Sequence, residues 1–142
     1  MDIQIQLDCW KVSSLEMKLG HSENEPPKKK SGQNSFHLSF EAKGIESLPD
    51  KFVIAFDITI EGVEFALDLH MDFFFKANQD LDEEFKKSDF VKVSAPAIAF
   101  PYIRSYISNL TLQSGYPTVI LPSINFVHLA KEKERKKNLS QE

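Results

Sequence analysis

The feature that most constrains the fold is an alternation of apolar and polar residues on both sides of Gly62. Glu61 and Gly62 are interpreted as a two-residue turn, and a period of two is typical of β-strands. Because a slip of one residue would turn every apolar side chain outward, this register is strongly specified. The apolar positions are Phe52, Ile54, Phe56, Ile58 and Ile60 before the turn, and Val63, Phe65, Leu67, Leu69, Met71 and Phe73 after it. The predicted pairs are Ile60 with Val63, Ile58 with Phe65, Phe56 with Leu67 and Ile54 with Leu69.

Two more strands are predicted nearer the N-terminus. Alternation runs from Ile3 to Leu19, and its phase slips at Trp10 and Val12, which indicates a bulge where the indole passes to the opposite face. Alternation from Phe36 to Phe40 predicts a second strand that ends near Gly44, before a turn at Pro49 and Asp50. Residues 20–35 contain two prolines and a run of lysines, so we expect a mobile loop there.

The last third of the chain predicts helices. Ile103, Tyr106, Ile107 and Leu110 have helical spacing within residues 99–114, and Gly115 follows where a left-handed cap is favoured. Two prolines predict an extended crossover over residues 116–124. Asn125 is expected to cap a final helix whose inward residues are Phe126, Leu129 and Ala130. A short helix is predicted within residues 78–87, and residues 131–142 are expected to form a charged tail.

Length and composition bound the class of protein. The chain has 142 residues, and 17 Lys and Arg against 21 Asp and Glu give a net charge of -4, so we predict one domain and no nucleic-acid partner. Cys9 alone cannot form an internal disulfide, and the N-terminus lacks a signal-peptide pattern. The expected compartment is therefore the reducing cytoplasm. No apolar stretch is long enough to insert directly into a membrane.

The residue types that carry chemistry are scattered. The 4 histidines lie in different predicted elements, and the 5 glycines form no phosphate-binding loop. Asp57, Glu64, Asp68 and Asp72 fall on an open sheet face, where nothing apolar would separate their pKa values. We therefore predict no metal, no cofactor and no enzymatic activity. The same acidic face is either simply solvated or a docking surface for a basic partner.

The aromatic residues are unusual, because the chain has 12 Phe but only 1 Trp and 3 Tyr. Phe has no polar group, so a small domain must bury these side chains or present some of them at an apolar surface. Ordinary core is the plain interpretation. The alternative is a surface that binds apolar polypeptide without sequence specificity.

Residues 95–126 (APAIAFPYIRSYISNLTLQSGYPTVILPSINF) resemble the SecB family of bacterial export chaperones, as do Gln4–Gln6 with Lys11, Ser14 and Glu16. The resemblance implies an α+β fold, with a four-stranded antiparallel sheet, a long helix packed on one face and a shorter C-terminal helix. It also implies a homotetramer built as a dimer of dimers. The implied function is to hold unfolded precursor proteins in hydrophobic grooves without ATP, so that they stay competent for export.

The resemblance suggests three sets of site residues. Tyr106, Ile107 and Leu110 are expected at helix packing within and between subunits. Glu16 and Asp68 match acidic positions with which family members capture a basic tail of the SecA translocation motor. Val12 stands where a third carboxylate is expected, and the C-terminal tail is rich in lysine rather than acidic. The expected groove residues are Phe36, Leu38, Phe40, Phe65, Phe75, Tyr116 and Phe126, with plain core as the alternative for each.

Two other functions stay open at this point. The departures from the family pattern leave room for a SecB-like chaperone of a toxin-antitoxin system, which would protect an antitoxin in the same groove. A structural or interaction module with the same fold would instead bury all of its Phe residues.

Overall fold

The alternating segments form one antiparallel sheet. The computed structural model describes residues 3–19, 34–62 and 64–140, with no account of the Ser140 side chain. Most of the predicted mobile loop, as well as Val63 and its predicted pair with Ile60, lies outside the described residues. The strands are β1 (Ile5–Leu19), β2 (Ser35–Ile45), β3 (Leu48–Glu61) and β4 (Phe65–Ala77), in the spatial order β1-β4-β3-β2. The predicted four-stranded antiparallel sheet is confirmed.

The β3–β4 register differs from the prediction. Ile58 pairs with Leu69, and Phe56 pairs with Met71, so the predicted pairs were wrong, although the described apolar residues keep their face. Gly62 N donates to Phe65 O at 2.8 Å, which closes the hairpin further along the chain than predicted. A Cβ at Gly62 would lie 2.9 Å from Asn34 Oδ1, so glycine permits a close approach beside the turn rather than forming the turn itself.

Two irregularities in β1 correct the predicted side of Trp10. Register shifts fall between Leu7 and Cys9 and between Val12 and Ser14, so the predicted bulge is confirmed. Leu7 pairs with Phe75 and Trp10 pairs with Phe73, and these two Phe residues share one face of β4. The extra residue between Leu7 and Trp10 therefore returns the apolar side chains to the face of Leu7. The indole therefore lies on the same face as the preceding apolar residues, and the prediction of the opposite face was wrong.

The β2–β3 turn also lies earlier than predicted. Ile45 pairs with Leu48, which leaves Glu46 and Ser47 as the turn, whereas Pro49 and Asp50 belong to β3. Proline is tolerated there because Pro49 lies in the irregularity between Leu48 and Phe52, outside the residues that pair with β2 or β4.

The helical part packs on one face of the sheet, as predicted. Its elements are α1 (Glu83–Lys86), a π-helical turn (Phe90–Ser94), the long helix α2 (Ala95–Gln113) and α3 (Phe126–Ser140). Ala99, Ile103 and Ile107 of α2 are buried together with the even-numbered apolar residues of β3 and the odd-numbered ones of β4. This interface forms the hydrophobic core.

The predicted caps at Gly115 and Asn125 are confirmed, whereas α2 begins at Ala95 and therefore earlier than the predicted residues 99–114. Gly115 follows α2 with φ +88°, a conformation that glycine adopts without steric cost. Asn125 Oδ1 accepts from His128 N at 3.1 Å, so Asn125 caps α3 as predicted. Asp82 Oδ1 accepts from Phe85 N at 2.7 Å and caps α1. The last helix continues through most of the expected charged tail and extends as far as Ser140.

Candidate functional site

Three of the predicted groove residues belong to the core of the single chain. The exposed fractions of Phe65, Phe75 and Phe126 are 3%, 0% and 4%. Phe75 stacks on Phe52 with ring centroids 5.2 Å apart, and Phe126 packs between Phe40 and Phe100, at 5.9 and 5.7 Å. These three side chains offer no surface to a partner in this conformation.

The other four predicted groove residues reach solvent. Phe36, Leu38 and Phe40 are half-buried on the helix-facing side of β2, an edge strand of the sheet. Tyr116 is half-buried in the crossover and covers Phe65, with ring centroids 4.8 Å apart. The structure therefore brings three of the four together on one strand.

Phe40 also belongs to a cleft between β2, the π-helical turn and α3. The cleft has a volume of about 300 Å³, and we call it the lysine-rimmed cleft. Its lining residues are Phe40, Ala42, Lys86, Val91, Lys92, Ala130, Lys133, Glu134 and Lys137. Sequence analysis missed the four lysines, although Ala130, Lys133, Glu134 and Lys137 share one face of a helix by their spacing.

Lys133 holds its ammonium group over the floor of this cleft. Lys133 Nζ lies 4.0 Å from the centroid of the Phe40 ring and donates to the Phe40 carbonyl oxygen at 3.4 Å. Partial burial lowers the pKa of Lys133, because a cation loses hydration there. Among the described residues, no carboxylate pairs with this ammonium.

A second apolar surface runs along β1. The β1 apolar stripe consists of Trp10, Val12, Leu15, Met17 and Leu19, which share the helix-facing side of the strand. The exposed fractions of Trp10, Leu15 and Leu19 are 43%, 41% and 60%. Trp10 packs on Tyr102 of α2 with ring centroids 4.3 Å apart. The stripe therefore continues onto α2, where Tyr102 and Ile98 are also exposed.

The predicted subunit-contact residues on α2 differ in exposure. Tyr106 and Leu110 are half-buried, whereas Ile107 is fully buried by its own chain. Ile107 therefore packs the helix onto the sheet, and it has no surface left for a second copy in this conformation. Tyr102 and Ile98 lie one and two turns nearer the start of α2 than Tyr106, and they were missed because helical spacing alone does not show which flank the sheet leaves uncovered.

The two predicted docking carboxylates lie side by side. Glu16 of β1 is the direct cross-strand partner of Asp68 of β4, on the face away from the helices. Lys18 Nζ lies 2.7 Å from Glu16 Oε1, and this hydrogen bond raises the pKa of Lys18. Thr59 Oγ1 donates to Asp68 Oδ1 at 3.1 Å. Both carboxylates are exposed and reachable from solvent.

The rest of that face carries charges of both signs. Asp57 pairs with His70, and Lys11 lies opposite the half-buried Asp72. Within the described residues, no group of three or more His, Cys, Asp or Glu side chains could hold a metal ion. In that same part of the chain, none of the helices has the length and apolar character needed to span a membrane.

Comparison with known sequences shows the family. The SecB family model, described as preprotein translocase subunit SecB, matches residues 5–137. An uncharacterized protein of Methanocaldococcus jannaschii is 30% identical over 109 residues, which are 72% of this chain and 69% of that protein. Protein-export protein SecB 1 of Gluconobacter oxydans is 46% identical over 37 residues, 26% of this chain and 21% of that protein. Protein-export protein SecB of Nitrosomonas eutropha is 39% identical over 49 residues, 34% and 31% of the two chains.

Comparison with solved structures supports the fold. A SecB-like chaperone of Mycobacterium tuberculosis, in complex with a ChAD peptide from an antitoxin, has a TM-score of 0.65 at 13% identity, covering 84% of this chain and 87% of that one. A protein of unknown function from Streptococcus agalactiae has a TM-score of 0.59 at 13% identity, covering 87% of this chain and 100% of that one. Both share the arrangement of sheet and helices described above.

Proposed function

The chain belongs to the SecB family, and from this premise we propose that it is an ATP-independent chaperone that holds unfolded precursor polypeptides and keeps them competent for export. The observation that carries the proposal is the family match over residues 5–137 in a chain whose edge strands leave apolar side chains in contact with water. The proposal includes a cytoplasmic location, where such clients would be met before export.

The proposed holding surface is the helix-facing side of β2. Phe36, Leu38 and Phe40 are half-buried in a row along this edge strand, and the row ends at the lysine-rimmed cleft. Burial of an apolar side chain contributes about 2 kcal/mol whatever the partner's sequence. Because this gain is not directional, such a row selects for unfolded chains, whose apolar residues are accessible.

Phe65, Phe75 and Phe126 would join this surface only if the parts that cover them moved. Tyr116 covers Phe65, and α3 carries Phe126 itself. The holding surface proposed for the conformation described therefore consists of Phe36, Leu38 and Phe40 with the half-buried Tyr116.

The test compares neighbouring residues on opposite sides of β2. We expect wild-type protein to suppress aggregation of an unfolded substrate, and the double variant Phe36→Ser with Leu38→Ser to need several-fold more protein for the same suppression. His37→Ser is the matched control, because His37 lies between them and is exposed. Circular dichroism shows whether the variants fold. Wild-type protein that suppresses no aggregation would refute the proposal and favour an interaction module.

Protection of an antitoxin is a second candidate function. The specific observation in its favour is the similarity to a SecB-like chaperone solved with an antitoxin peptide, which concerns that protein and its own partner. The same β2 surface would then have one favoured client instead of many. Affinities for a panel of unrelated unfolded proteins distinguish the two candidate functions. One client that binds much more tightly than all the others indicates the antitoxin role.

A separate surface is proposed for docking on the SecA motor. The support is the direct pairing of Glu16 with Asp68 on the face opposite the helices, which would attract a basic partner. We expect Asp68→Lys to abolish docking of a basic zinc-binding tail peptide and to leave aggregation suppression intact. Equal loss of both activities would show that the two surfaces are not separate.

The proposal also includes a homotetramer, a dimer of dimers, in which the β1 apolar stripe and α2 form contacts between copies. Isolated monomers rarely leave a continuous apolar patch of this kind in water. We expect light scattering to give a tetramer mass for the wild type and a smaller mass for Trp10→Ser with Tyr102→Ser. Lys11→Ser, on the other side of β1, should keep the wild-type mass. A monomeric wild type would refute this part.

A further inference from the structure

We infer that the lysine-rimmed cleft binds client segments in which carboxylates flank apolar side chains. This inference rests on the proposed function, since it names the class of polypeptide that one part of the holding surface takes. The net charge of the whole chain is -4, which does not indicate such a preference. The basic residues of the cleft come from three separate elements, so only the folded chain brings them together.

The floor of the cleft suits apolar side chains. Phe40, Ala42, Val91 and Ala130 contribute hydrocarbon surface from β2, the π-helical turn and α3. A volume of about 300 Å³ lies at the lower end of the range for pockets that bind small ligands, roughly 300–1,000 Å³. The cleft therefore has room for one or two client side chains, and it opens beside the row formed by Phe36 and Leu38.

The rim of the cleft is strongly basic. Four lysines and one glutamate line it, and the glutamate, Glu134, lies 3.6 Å from Lys92 Nζ. Lys86 pairs with Glu83 at 3.4 Å, outside the lining residues. Lys133 has no carboxylate partner among the described residues, so its positive charge lies beside the apolar floor.

Lys133 is the residue that best explains why the client should be acidic. Its ammonium lies on the Phe40 ring and a backbone carbonyl, which replace only part of the hydration that it loses on burial. A client carboxylate at this position would pair with a cation that is already partly desolvated and held in place, so little conformational entropy is lost. A basic client segment would instead meet like charge.

The test uses two pairs of substitutions on the same helix. Lys133→Glu with Lys137→Glu changes the cleft, whereas Lys131→Glu with Lys136→Glu makes the same change of net charge at exposed positions outside it. The probes are N-acetylated, fluorescent, unstructured peptides with identical apolar residues, flanked either by Asp and Glu or by Asn and Gln. Fluorescence anisotropy measures binding at low and at moderate salt.

We expect the acidic peptide to bind wild-type protein about fivefold to tenfold more tightly than its amide counterpart, with the ratio falling as salt rises. The cleft pair should remove the ratio, and the control pair should keep it. Equal affinity of the two peptides for the wild type would overturn the inference and leave the proposed function standing. If neither peptide binds, both the inference and the proposed function are overturned.

A second measurement on wild-type protein avoids any loss of folding in the variants. A carbodiimide couples peptide carboxylates to nearby lysine amines, and mass spectrometry locates the products. We expect coupling of the acidic peptide mainly at Lys133 and Lys137, and competition by excess unlabelled acidic peptide. Equal coupling at Lys131 and Lys136 would overturn the inference, because it would show attraction by the general charge of α3.

Discussion

The two edges of the sheet are covered in different ways. At the β2 edge, α3 brings Phe126 onto Phe40 and Lys133 onto the same ring, so the apolar side of the strand is half-buried. At the β1 edge, α2 provides Tyr102 beside Trp10, and Leu15 and Leu19 extend past it into solvent. In the described part of the chain, α3 partly covers the β2 edge, whereas α2 covers the β1 edge near Trp10 and leaves Leu15 and Leu19 exposed.

This difference suggests separate roles for the two edges. A half-covered row with room beside it suits reversible contact with many clients, because each contact contributes little and can be replaced. An uncovered stripe of large side chains suits a permanent contact between copies, since its burial contributes about 2 kcal/mol for each side chain. The following substitutions test the difference, from the largest expected effect to the smallest.

The same kind of substitution at each edge should have unequal effects. Phe126→Ala removes a buried ring and should lower the free energy of unfolding by about 3–5 kcal/mol. Trp10→Ala removes a side chain that is 43% exposed and should cost less than about 2 kcal/mol. Urea denaturation at the lowest usable protein concentration provides the measurement.

Repeating that denaturation at higher concentrations sharpens the comparison. A contact between copies at β1 would make the loss caused by Trp10→Ala grow with concentration, whereas the loss caused by Phe126→Ala would stay constant. Equal losses at low concentration would contradict the comparison, because Trp10 would then be as well packed as the core.

Thr111 of α2 is fully buried, and it anchors the crossover that leads to α3. Thr111 Oγ1 accepts from Val119 N at 3.0 Å and donates to Ile107 O at 2.9 Å. Thr111→Val leaves the Val119 N–H without its partner and should cost about 2 kcal/mol. Hydrogen exchange should become faster at Val119 and in α3 but not in β1. The control is Thr118→Val, because Thr118 is exposed, and uniform acceleration in both edges would contradict the separation.

The sequence predicts the strands well because their period is local. Alternation identifies β3, β4 and the buried face without any knowledge of neighbours. It does not identify the register, because the observed pairs differ from the predicted ones by an even number of residues, which keeps Phe56 and Leu69 on the same face. Alternation also does not predict the side on which Trp10 lies. The phase slip shows where a residue is added to β1, but not which face the following side chains take.

The candidate site is harder to predict because it depends on contacts between distant segments. Phe126 and Phe36 are both predicted as groove residues, yet Phe126 is buried by packing against Phe40 and Phe100, whereas Phe36 is half-buried. Lys133 reaches Phe40 across 93 residues of sequence. A local sequence pattern cannot predict a contact over such a separation, so the lysine-rimmed cleft is visible only in the folded chain.

The smallest effect is expected where α2 ends and the chain turns toward α3 and the β2 edge. Gly115 has φ +88° with nothing within 4 Å of an added Cβ, so Gly115→Ala is strained by its backbone alone and should cost about 1 kcal/mol. Gly44→Ala is the control, since its Cβ also meets nothing within 4 Å and its φ is not positive. Thermal unfolding should therefore separate the two alanine variants. If both melt like the wild type, the left-handed turn is not needed to direct the chain to the β2 edge, and the crossover contacts at Thr111 would suffice.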